Sequence, residues 1–66
     1  MNTYRIEMRN AEHIHRFCNV VAETAETAET VACYYNAGYR AIWSSLLYVG
    51  GTWICARGEI DQNLPG

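Results

Sequence analysis

The sequence predicts an α+β fold: a three-stranded antiparallel sheet, built as a strand, a long helix and a β-hairpin, with the one helix packed on one face. Three observations predict it. Residues 3–9 alternate with a period of two, residues 14–35 carry an apolar stripe at helical spacing, and Gly50-Gly51 divides two apolar runs. The 66 residues make one domain, 1–66, because a chain this short holds a single core.

The first strand is Thr3 to Arg9. Tyr4, Ile6 and Met8 point one way, and Thr3, Arg5, Glu7 and Arg9 the other, the pattern of a half-buried strand. Asn10 follows as a helix N-cap, and Glu12 suits the first helical turn, where a carboxylate meets the positive end of the helix dipole. Ile14, Cys18, Val21, Ala25, Ala28, Ala32 and Tyr35 then step by four and three along one helical face, with Phe17 and Val31 flanking it. Asn36, Ala37 and Gly38 supply a C-terminal stop. The helix read this way runs over residues 11–36, about 39 Å at 1.5 Å per residue. A competing reading stays open: a second strand at 13–21, supported by Phe17, Val20 and Val21, with the helix starting near Thr24.

The last element is a hairpin over residues 40–60. A two-residue Gly50-Gly51 turn pairs Val49 with Thr52, Tyr48 with Trp53, Leu47 with Ile54 and Leu46 with Cys55. Trp43, Leu47, Val49, Ile54, Ala56 and Ile60 then share the helix-facing side. Ile42, Ser44, Leu46, Tyr48, Trp53, Cys55, Arg57 and Glu59 share the outer side, which holds the charges. The apolar run 41–56 is too short for a membrane helix, which needs about 20 residues, so no membrane contact is expected. The tail 61–66, with Pro65, is expected to fray.

Composition narrows the function. Seven acids against five bases, all Arg, leave a net charge of −2. This argues against direct nucleic-acid binding, which needs a basic stripe. Cys18, Cys33 and Cys55 are odd in number and widely spaced, and residues 1–9 lack the apolar segment of a secretion signal. Three free thiols in a reducing cytosol follow. With Cys18 and Cys33 on one helix, about 22 Å separates them, too far for a disulfide. His13-x-His15 is the single metal-like spacing, and two ligands fall short of the three or four a zinc site uses, so no metal is expected. No cofactor motif or nucleophile arrangement occurs, and neither a cofactor nor an enzymatic activity is expected.

Two surfaces remain as candidate sites. The segment 22–30 reads Ala-Glu-Thr three times, so Glu23, Glu26 and Glu29 form a slanted acidic ridge with Glu12 extending it. Solvation of a helix face accounts for such a ridge equally well. Carboxylates set on a rigid helix also imitate phosphates and attract a basic partner. The second surface is the outer hairpin face, where Leu46, Tyr48, Trp53 and Arg57 have the composition of an interface hot spot.

In size, acidity and element order — strand Thr3–Arg9, a helix bearing Glu23, Glu26 and Glu29, and a hairpin around Gly50-Gly51 — the chain resembles the small phage-encoded anti-CRISPR proteins, inhibitors of type I surveillance complexes. The resemblance implies a small acidic protein-binding inhibitor in the host bacterial cytosol. It would block DNA recognition by a basic DNA-binding protein or a CRISPR effector subunit, through DNA mimicry. The alternative reading is a small homodimeric structural or regulatory module that uses the aromatic hairpin face.

Overall fold

The computed structural model describes residues 1–48 and 50–58, and the expectations for Val49, Glu59, Ile60 and the tail 61–66 concern residues outside these. The elements run β1 (Asn2–Asn10), β2 (His15–Ala22), α1 (Ala25–Tyr35), β3 (Tyr39–Tyr48) and β4 (Thr52–Arg57). All four strands form one antiparallel sheet in the order β2-β1-β3-β4, and α1 lies against one face. The α+β class and the single helix match the expectation. The strand count does not: the sheet has four strands, and the competing reading of residues 13–21 is the one the fold adopts.

The physical reason lies at Asn10. Its side-chain oxygen accepts from the backbone N–H groups of Glu12 and Ile14, both at 2.9 Å, as a helix cap accepts from nearby N–H groups. The same chemistry here closes a turn. Asn10 N–H donates to the Ile14 carbonyl at 3.1 Å, and His13 takes a left-handed φ of 65°. The chain therefore reverses, and β2 pairs along all of β1 from Arg9↔His15 to Asn2↔Ala22. With period two, Cys18, Val20 and Ala22 face α1, and Phe17, Asn19 and Val21 face away. Cys18 thus sits on a strand and Cys33 on the helix packed against it, which removes the separation of about 22 Å expected for one continuous helix.

The helix begins where its own cap lies. Thr24 Oγ1 accepts from Thr27 N–H at 3.2 Å, and α1 runs for 11 residues instead of 26. At its end the Asn36 side chain donates to the Ala32 carbonyl at 2.7 Å, and Gly38 takes the left-handed φ of 86° that favours glycine. Arg16 of β2 reaches this end. It donates to Asn36 Oδ1 at 2.9 Å and stacks over the Tyr39 ring, placing a cation at the negative pole of the helix. Ala28 and Ala32 are fully buried against Ile6 and Met8, so small helix residues let the backbone settle close to the sheet.

Two bulges set the faces of β3 and β4. Between Glu7↔Trp43 and Met8↔Ala41, Ile42 is the extra residue, so Ala41 and Ser44 both reach the helix side although they lie three apart. Between Ser44↔Arg57 and Ser45↔Cys55, Ala56 is the extra residue. The hairpin closes with Tyr48 opposite Thr52 and Leu47 opposite Trp53, one residue off the predicted register. Because a one-residue slip reverses a face, β3 is inverted relative to expectation. Trp43 and Leu47 lie away from the helix, and Ser44 and Leu46 lie toward it. For β4 the outer placement of Trp53 and Cys55 and the helix side of Ile54 match the reading, while Arg57 lies on the helix side instead of the outer one.

Candidate functional site

The predicted acidic ridge is divided among different places. Glu12 is exposed in the β1–β2 turn and is not on a helix. Glu23 is exposed before the helix starts. Glu26 occupies the first turn of α1, with its carboxylate mostly exposed and 3.1 Å from Arg57 Nη1. Glu29 is buried at 8% exposure. Its Oε2 accepts from Ser44 Oγ at 2.6 Å and from Arg57 Nε at 2.9 Å. Arg57 thus bridges two of the three triplet carboxylates. It reaches them because the Ala56 bulge turns it toward the helix. A helix with no base of its own within a turn is compensated from β4.

The predicted hairpin patch is also divided. Leu46 packs against the core, Tyr48 lies on the helix side by register, and Arg57 joins Glu26 and Glu29. Of that group, Trp53 alone stands on the other face. There it meets residues that the reading of the sequence assigned to the core or to a helix.

That other face is the open side of the sheet, with no element covering it among the described residues. Glu7 on β1 is flanked by Phe17 on β2 and Trp43 on β3. Arg5 is flanked by Asn19 and Ser45, and Ser45 in turn pairs with Cys55. The small Ser45 side chain lets Arg5 extend across β3, where its guanidinium lies 4.4 Å over the Trp53 ring, within the range of a cation–π contact. Trp43 lies over Gly58, where an added Cβ would come within 2.8 Å of its ring. His15 Nδ1 lies 2.8 Å from Glu7 Oε2.

Large apolar side chains remain uncovered here. Phe17 is 59% exposed and Val21 63%, and Trp43 and Leu47 are also exposed. An antiparallel sheet with one solvated face ordinarily alternates apolar-in and polar-out. This one places apolar residues on both faces of β2 and β3. The signal in the sequence was the period-two alternation of residues 15–22, which competes with a helical stripe over the same residues. For β3 no signal exists, because alternation cannot reveal a bulge.

The remaining chemistry is sparse. Burial, then the neighbouring Cys33, pushes the Cys18 thiol above its ordinary value of 9.0. Cys18, Cys33 and Cys55 are all free. Among the described residues, no group of three or more His, Cys, Asp or Glu side chains is placed to hold a metal ion, and no helix is long and apolar enough to cross a membrane. A shallow depression lies against Arg5, Phe17, Cys18 and Asn19. Comparison with protein-family models, curated proteins and solved structures finds no match, so the functional reading rests on this geometry.

Proposed function

We propose that the chain is a non-catalytic interaction module whose working surface is the open sheet face. One observation carries the reading: Phe17, Val21, Trp43 and Leu47 stand on the face opposite the helix and remain exposed. Exposed aromatic and aliphatic anchors interspersed with arginine are the composition of a contact surface. Arg5, Glu7 and Arg9 run along β1 between Phe17 and Val21 of β2 and Trp43 and Leu47 of β3, so charged and apolar groups alternate across the face.

The test places a photo-crosslinking aromatic amino acid at Phe17 on the sheet face or at Tyr34 on the outer helix face, in cells that express the chain. Adducts from position 17 and none from position 34 support the reading. Adducts confined to position 34 sink it.

A second reading keeps the acidic inhibitor that imitates DNA before a basic partner, such as a CRISPR effector subunit, in the host bacterial cytosol. It draws on the exposed carboxylates of Glu23 and Glu26. The test for it is the double change Glu23→Gln and Glu26→Gln, which leaves the buried Glu29 in place. Loss of inhibition of the partner's DNA binding, with folding intact, supports this reading. Unchanged inhibition removes it.

A further inference from the structure

We infer that the occupant of the open sheet face is a second copy of this chain, packed sheet against sheet. The inference rests on the proposed role of that face and names its partner.

The first argument is area. Four strands at about 4.8 Å spacing, averaging about 28 Å in length, give each protomer on the order of 550 Å² in projection. Two such faces together bury on the order of 1,100 Å² before side-chain relief is counted, which clears the roughly 1,000 Å² that a specific interface needs. The face is also the right kind of surface. Stacked sheets pack about 10 Å apart with interdigitating side chains, and Phe17, Val21, Trp43 and Leu47 project far enough to fill that layer.

The second argument is composition. By register the β1 row of this face is Arg5, Glu7 and Arg9, with Arg40 of β3 opposite Arg9, and the apolar residues Phe17 and Val21 of β2 and Trp43 and Leu47 of β3 flank that row. A partner must therefore offer apolar side chains on two rows with a charged row between them. A second copy carries that arrangement on its own face, and in an isologous pair each protomer can set its Glu7 against an arginine of the other.

The third argument is need. The core of this domain is thin. Among the described residues eight hydrophobic side chains are buried, and four of them are Ala: Ala22, Ala28, Ala32 and Ala41. A domain of this size is marginal without disulfides, metal or association, and its cysteines are free. Covering the second face of the sheet supplies a second apolar layer.

The experiment combines mass and crosslinking on the full chain. Light scattering after gel filtration, at concentrations up to about 100 µM, a range that detects micromolar dissociation constants, should give twice the 7.5 kDa chain mass. Val21→Glu should weaken the pair by about tenfold or more and return the chain to a monomer, while Tyr34→Glu leaves the mass unchanged. Val21 is exposed in the single chain, so the fold tolerates the charge; if Val21→Glu nevertheless unfolds, Phe17→Glu replaces it. The adduct formed from position 17 separates the two ideas. A species of two chain masses supports both. A heavier, protease-sensitive adduct keeps the working surface but overturns the second copy, and a nuclease-sensitive one does the same in favour of nucleic acid. No adduct at position 17, with a chain monomeric throughout, overturns both.

Discussion

The three carboxylates of the Ala-Glu-Thr triplets look equivalent in the sequence, and the fold treats each differently. Glu23 faces water, Glu26 shares Arg57 from the surface, and Glu29 is enclosed with Ser44 and Arg57. What decides this is a residue on β4, 28 positions beyond Glu29, so no local pattern carries the information. Glu29→Ala should cost about 1–3 kcal/mol, because the fully buried Ser44 hydroxyl loses its acceptor. Glu23→Gln should stay within about 0.5 kcal/mol. Urea unfolding of the two variants checks the difference, and equal values would mean the enclosure of Glu29 does not matter. Cys18 gives a second prediction at this scale. Its folded-state pKa is raised above 9.0, so the folded chain binds more protons than the unfolded one once the unfolded thiol begins to ionise. The stability from keeping Cys18 neutral is thus fully present below that value and lost as pH rises through the folded pKa. Unfolding free energy should fall from about pH 8–9 upward, and this component should vanish in Cys18→Ala.

Among the elements, β1, the one helix and the hairpin position were legible, each from an uninterrupted period or a glycine pair. The segment 11–22 was not, because it satisfies two periods at once. Ile14, Cys18 and Val21 fit a helix, while Cys18, Val20 and Ala22 against Phe17, Asn19 and Val21 fit a strand. Local sequence leaves that tie, and pairing along the full length of β1 breaks it. The bulges at Ile42 and Ala56 were illegible for a related reason: they exist to reconcile faces between partner strands, and a single strand shows no trace of them. They moved Trp43 and Leu47 into the candidate site and took Leu46 and Arg57 out of it. Circular dichroism distinguishes the two chain paths. Eleven helical residues in 66 predict a helix content of about one sixth, whereas a helix over 11–36 would give about 40%. A value near the higher figure would restore the three-stranded sheet.

At the scale of the whole molecule, stability and association become one quantity. One face of the sheet is closed by an Ala-rich helix and the other by nothing among the described residues, so a single copy leaves apolar area in water that a pair would cover. Anything that binds the folded chain and not the unfolded one raises its apparent stability by mass action, about 2.7 kcal/mol at a concentration a hundredfold above the dissociation constant. For a domain of this length 1 kcal/mol moves the thermal midpoint by about 4–8 °C. The midpoint of the parent chain should therefore climb by on the order of 10 °C when protein concentration is raised across two decades above that constant. Val21→Glu, unable to cover its open face, should melt at a midpoint that does not move with concentration. Scanning calorimetry on both, at matched concentrations, reads the outcome directly. A parent midpoint as insensitive to concentration as the variant's would mean that this sheet is stable with one face in water, and that Phe17, Val21, Trp43 and Leu47 await a partner other than the chain itself.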